Sequence, residues 1–175
     1  MPKGPFLASE FTPTEWSTAA EKAAFGNALL HFLDSGCSLE LFTKKFYNRL
    51  SMTFGNIAHY DLEGFYDTWF TRDLHRLGFV QKLLRWPCHG DPKFTFSDVE
   101  YAVQRVMRER NYLSRFELGA AEELRAAEMK DLERLEAKYR RTQDALPPVE
   151  PAEVIATPSE PAAAPMNDAI QINLF

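Results

Sequence analysis

The sequence predicts an all-α protein: a small helical domain, a long amphipathic helix at its end, and a disordered Pro/Ala-rich tail. Three observations carry that expectation. Apolar residues recur at helical spacing wherever the chain is hydrophobic. Helix-opening residues stand before those stretches. Prolines 147, 148, 151, 158, 161 and 165 punctuate a stretch with few bulky side chains, which cannot offset the entropy of ordering itself. A chain of 175 residues suits one domain with extensions, and 14 Phe give that domain a large apolar payload for its core.

The first helix is expected from Thr12, Pro13 and Glu15, which have capping-box spacing with Pro in the first helical position. Behind them Trp16, Ala20, Ala23 and Asn27 share one face, and Phe25, Leu29, Phe32 and Leu33 share another. Gly36 ends the helix. Ser38 is placed to cap the next, Leu39 to Met52, with Leu39, Phe42, Phe46 and Leu50 on its apolar side. Gly55 and Asn56 are turn chemistry, and Asp61 then caps a third helix carrying Phe65, Trp69, Leu74 and Leu77. Gly78 is read as a joint, and residues 87–92, with two prolines and a glycine, as irregular. Residues 93–96 alternate as a short extended piece would.

Ser97 and Glu100 spell a second capping box, followed by no proline until Pro147. One long helix is therefore expected over residues 97–145. Val99, Val103, Val106, Tyr112, Leu113 and Phe116 give its first half a body-facing side. Beyond residue 122 the stripe Leu124, Met129, Leu132, Leu135, Tyr139 is thin and flanked by charge, the pattern of a helix that pairs with another copy. The domain plan is a flexible N-terminus over 1–10, a helical domain over 11–146, a disordered linker over 147–169 and a terminal peptide over 170–175. As a flexible coil the linker spans on the order of 25–30 Å, and its prolines lengthen that.

The net charge of −5 is unevenly placed. Residues 38–93 hold eight Lys/Arg against six Asp/Glu, and the tail after Leu146 holds four acids and no base. Neither is the concentrated basic excess of a polyanion-binding footprint. Cys37 and Cys88 have no CxxC partner, which argues against a disulfide framework, a zinc site or any other metal. The first residues lack the apolar run of a secretory signal and no stretch is long enough for a membrane span, so a cytoplasmic location without membrane association is expected.

Four histidines invite catalysis. His31 lies on the apolar first helix and His75 on a helix surface, both ordinary structural positions. His59, Tyr60 and Asp61 fall together at a turn where side chains can converge, although Asp61 already serves as a cap. Cys88, His89 and Asp91 imitate a nucleophile loop without a base that the sequence can place. No phosphate loop, dinucleotide fingerprint, HExxH or GxSxG occurs, so no cofactor is expected and an enzyme is the weaker reading. Phe65, Tyr66, Trp69 and Phe70 interleave with Arg72, Arg76, Lys82 and Arg85, a candidate nucleic-acid surface whose plainer reading is a helical core.

The peptide Gln171, Ile172, Asn173, Leu174, Phe175 stands apart, since two large apolar residues at the tip of such a tail gain nothing unless they dock. It resembles the short peptide by which bacterial replication and repair proteins bind the DNA polymerase III sliding clamp, a motif of the form Q-L-S/D-L-F. The resemblance covers these five residues and none of the body. It implies Gln171 as polar anchor, Leu174 and Phe175 as plugs for an apolar pocket, and Ile172 in place of the preferred Leu. A bacterial, plasmid or phage factor is implied, acting at the clamp as a replication or repair accessory or as a competing inhibitor. The alternative is a helical assembly or nucleic-acid-binding protein whose terminal peptide is a tag or docks on its own body.

Overall fold

The computed structural model describes residues 4–54 and 61–144, and all regular structure there is helical. The six α-helices are α1 (Ala19–Asp34), α2 (Lys44–Thr53), α3 (Leu62–Phe70), α4 (Asp73–Arg85), α5 (Ser97–Glu109) and α6 (Tyr112–Asp144). The chain divides into two compact units, Met1–Arg134 and Leu135–Phe175. In the second unit the described residues, 135–144, are helical, with Arg140 reaching Glu136 at 3.5 Å.

The first unit is assembled around α1. Its Leu29, Phe32 and Leu33 are fully buried, and it packs on both α2 and α5, while α4 packs on α3 and α5. Phe32, Phe42, Phe65, Phe70 and Phe79 form a continuous ring cluster, with centroids as close as 4.8 Å between Phe70 and Phe79 in an edge-to-face contact. Such contacts each add about 0.5–1.5 kcal/mol beyond area burial.

Several expected boundaries move, each for a visible reason. Two capping boxes compete before α1, and the later one forms. Thr18 Oγ1 accepts from the Glu21 amide at 3.2 Å while the Glu21 carboxylate accepts from the Thr18 amide at 2.8 Å. Thr12 cannot nucleate the helix because its amide donates to Asp98 at 3.0 Å and Phe11 beside it is buried. Residues 4–10, expected to be flexible, lie against α1: Phe6 is buried, and its backbone exchanges two 3.0 Å hydrogen bonds with the Asn27 amide.

α1 ends as anticipated at Gly36 (φ 71°), but Cys37 also takes a left-handed conformation at φ 62°. The Cys37 amide then reaches back to the Phe32 carbonyl at 2.9 Å and that of Gly36 to Leu33 at 3.2 Å, the paired bonds of a Schellman ending. The helix expected from Leu39 is a short 3-10 turn, Leu39–Leu41; α2 begins only after Phe42 has turned into the core, with Thr43 Oγ1 capping the Phe46 amide at 3.2 Å.

Asp61 caps α3 as expected, accepting from Gly64 at 2.7 Å. The following joint lies at Thr71 and Arg72 rather than at Gly78, which α4 runs straight through. A distant residue decides it: Glu123 of α6 accepts from the Leu74 amide at 3.1 Å and from Arg72 at 2.7 Å, so it caps α4 from outside. Residues 93–96 form a turn about Asp91, whose backbone carbonyl accepts from the amides of Phe94 and Thr95. The single helix expected over 97–145 is two. Asn111 adopts φ 55°, a region Asn tolerates better than most residues, and separates α5 from α6. Tyr112 then donates to Asp34 at 2.7 Å and Arg115 to the Leu33 carbonyl at 2.8 Å, anchoring the start of α6 on the end of α1.

Candidate functional site

A buried ammonium group organises one side of the first unit. Lys22 has no exposed surface, and its Nζ donates to the carbonyls of Pro92 and Thr95, both at 2.8 Å, and to the Asp98 carboxylate at 3.0 Å. An ammonium has three donors, so this set satisfies it fully. Asp98 meanwhile holds the Thr12 amide. One ion pair thereby ties α1, α5, the 86–96 loop and the strap before α1, residues 4–18. The loop also needs Gly90: it has φ 100°, and a Cβ there would stand 2.8 Å from Thr95 Cγ2. Ser97, expected to cap α5, donates to the Gly90 carbonyl at 2.9 Å instead.

These ties shape a cleft of about 770 Å³ between the strap, α2, the loop and the start of α5. That lies within the range of about 300–1,000 Å³ usual for small-ligand sites. Its walls are aromatic. Trp16 is 74% exposed and Phe94 69%, while Trp86 and Phe96 are half-buried. The Trp16 conformation follows from a tight turn in which the Thr14 amide donates to the Ser17 carbonyl at 2.8 Å, which turns the indole outward instead of along α1. Arg49 lies over the Phe96 ring at 5.0 Å and donates to Ser17 Oγ at 2.8 Å, so its guanidinium is held at the rim with Lys45 and His89 nearby.

The cleft also contains Glu100, only 6% exposed. No donor among the described residues bonds its carboxylate, whose oxygens border the cleft and keep some contact with solvent. Burial, and then the neighbouring Asp98 charge, push its pKa up to about 7. The capping role expected for Glu100 is therefore not taken up. Its burial was foreshadowed, since Glu100, Val103, Gln104 and Met107 occupy one helical face and all are buried. Gln104 is satisfied there by the Leu83 and Trp86 carbonyls at 2.9 and 2.7 Å, and Glu100 is the polar group that faces open space.

The other candidates lie elsewhere. Arg72 bonds Glu123; Arg76 bonds the Phe70 carbonyl and Asp73, both at 2.7 Å; Lys82 lies over the Trp69 ring at 5.2 Å; and Arg85 is exposed at the end of α4. Phe65 and Phe70 from the same stretch are fully buried. His59 and Tyr60 lie outside the described residues, as do Gln171, Ile172, Leu174 and Phe175, and Asp61 is a helix cap. His31 is exposed, and His75 has a buried Nδ1 without a partner. Burial raises the Cys88 thiol above its ordinary value, the opposite of nucleophile activation, while the thiol leans on the Trp86 carbonyl at 3.8 Å. Among the described residues no cluster of three metal-ligating side chains occurs, and no helix is long and apolar enough to cross a membrane.

Sequence reasoning missed the cleft because Trp16 was assigned to a helix that starts later and Glu100 to a cap. A lysine within an otherwise apolar helical face was the available signal for the Lys22 pair. No protein-family model matches this chain, and no curated protein or solved structure matches it at a significant level.

Proposed function

We propose that the protein acts at the bacterial replication clamp, docking through residues 171–175. The observation that carries this reading is the peptide itself: Gln171, Leu174 and Phe175 at the spacing of clamp-binding peptides, behind an acidic, proline-rich stretch. In this reading Gln171 is the polar anchor, Ile172 stands where the motif prefers Leu, and Leu174 and Phe175 fill the apolar pocket. Burying those two side chains is worth about 1.5–3 kcal/mol each, and ordering the peptide takes part of it back. With the Gln171 anchor added, a single peptide is expected to bind at about micromolar strength or weaker, a level set by about 8 kcal/mol. The helical body either is delivered to DNA, as in a replication or repair accessory, or obstructs competitors for the pocket, as in an inhibitor.

Self-association would raise that affinity by avidity on a ring with several pockets. Supporting it, Leu124, Met129 and Leu132 on α6 are about half exposed or more, at 59%, 52% and 49%, and Leu135 and Tyr139 are exposed as well. The test is calorimetry of the full chain against purified clamp, beside the Leu174→Ala/Phe175→Ala double variant. Binding by the wild type and none by the double variant is the expected result. Equal binding by both, or none by either, removes this function. Leu132→Asp should lower the solution mass and the apparent affinity together.

A further inference from the structure

We propose that the cleft between the strap, α2 and the 86–96 loop binds a guanine nucleotide, with the base between aromatic walls and the phosphate at the cationic rim. This assignment does not depend on the clamp peptide. It rests on three features found together: exposed aromatic faces, a carboxylate on the cleft wall that no described protein donor bonds, and two cations lining the same cleft, of which Arg49 is held in place.

The aromatic faces come first. Trp16 and Phe94 are among the most exposed large apolar residues of the described chain, at 74% and 69%, and both line the same space. Planar rings left open to water on a cleft wall suit a planar guest, and stacking against a base suits them irrespective of its sequence identity. A saturated or peptide-like guest gains apolar burial there but satisfies nothing else.

Glu100 selects among planar guests. Glu100 is 6% exposed as a residue, its carboxylate borders the cleft, and no donor among the described residues bonds it. A charged acceptor on a largely dehydrated wall is poorly solvated, and a ligand that supplies donors improves on the water it displaces. The edge of guanine offers two adjacent N–H groups, at N1 and N2, in the fork that a carboxylate accepts. Adenine and cytosine offer a donor beside an acceptor, and the acceptor would confront the anion. Uracil and thymine flank their one donor with acceptors.

Charge complementarity excludes the other common fork. A guanidinium or amidine also presents paired donors, but Lys45 and the Arg49 guanidinium stand at the rim and repel an added cation. Arg49 is held there by Ser17 and by the Phe96 ring, so it cannot swing away at no cost. The same two groups attract phosphate. A neutral fork on a flat ring carrying an anion is a guanine nucleotide. It could be free, or a residue within a single strand, and both present the same chemistry to the cleft.

The test uses the full chain and follows tryptophan fluorescence, with calorimetry beside it, at pH 8 where Glu100 is ionised. The probes are GMP, AMP, CMP and guanosine, together with a short oligothymidylate carrying one central guanine and its all-thymidine counterpart. Saturable binding of GMP, at least about tenfold tighter than AMP or CMP, is expected from a bidentate contact. Glu100→Gln should cost GMP about tenfold or more and narrow the gap to AMP, since an amide offers one donor and one acceptor. Trp16→Ala, at an exposed position, should weaken every base with circular dichroism unchanged. Lys45→Ala should weaken GMP and leave guanosine unaffected. If the guanine oligomer binds no tighter than GMP, the ligand is the free nucleotide. Tighter binding with a steeper salt dependence makes it a single strand. No saturable response to GMP or to the guanine oligomer, indifference to the base, or an unchanged Glu100→Gln variant each overturns the assignment. So does a response confined to an apolar peptide, which would make the cleft a protein-docking site.

Discussion

Replacing Glu100 by Gln should change how stability depends on pH, and the change can be worked out beforehand. In the fold the carboxyl titrates at about 7, against 4.5 for an ordinary glutamate. Below pH 4.5 it is protonated in both states and its ionisation costs nothing. Between the two values the unfolded chain releases its proton first, so the unfolded state is favoured as pH rises. Above 7 the full penalty is present. At about 1.4 kcal/mol per pH unit, this one group should lower stability by about 2.5 kcal/mol between pH 5 and pH 8. The causes are burial first and the Asp98 charge second, and the net shift is upward although Lys45, Arg49 and His89 line the same cleft. Urea unfolding at pH 5, 6, 7 and 8 measures it for wild type and variant in parallel. The difference between the two should tilt by about 2–3 kcal/mol toward the variant across that range. Ionisations common to wild type and variant cancel in the difference. A difference that stays flat from pH 5 to pH 8 refutes the reasoning, and the picture of Glu100 as a buried, unpartnered acid falls with it.

Three further outcomes are expected. Lys22→Met leaves Asp98 and two carbonyls without their donor, and breaking a buried pair of this kind should cost about 3 kcal/mol in chemical denaturation. In Cys37, which burial pushes up to about 12, the thiol should be silent to a thiol reagent in the native protein; Cys88 should react slowly, and both should react at once in denaturant. Glu123→Ala removes the acceptor for the Leu74 amide and for Arg72, so hydrogen exchange should quicken at the first turn of α4 while α1 stays protected.

The fold class was legible because periodicity and proline placement are local properties. Asp61 at the start of α3 and Gly36 at the end of α1 were readable for the same reason, as each acts on its own neighbours. The errors share a cause: a residue with a valid local role was taken by a distant partner. Thr12 had a capping sequence and lost its amide to Asp98, 86 positions away. Ser97 and Glu100 spelled a box, yet one bonds Gly90 and the other lines the cleft. The joint before α4 is held by Glu123, whose role no window around Arg72 could reveal. Asn111 looked like one more polar helix residue until its φ turned positive. The cleft was hidden because the displaced Thr12, Ser97 and Glu100 shape it together.

The Lys22 pair has a consequence for the order in which the protein comes into being. A ribosome adds about 5–20 residues per second, so the 76 positions between Lys22 and Asp98 separate the two by about 4–15 s. During that interval α1 carries an ammonium group in its first turn, on a face destined for burial, and it has nothing to receive it. The same holds for Asp34, which waits 78 positions for Tyr112. The phenylalanine-rich first half can collapse early, but it cannot close over Lys22 until α5 has been made. Nascent chains arrested before residue 98 should therefore expose that face and recruit chaperones, whereas chains arrested well past residue 115 should not.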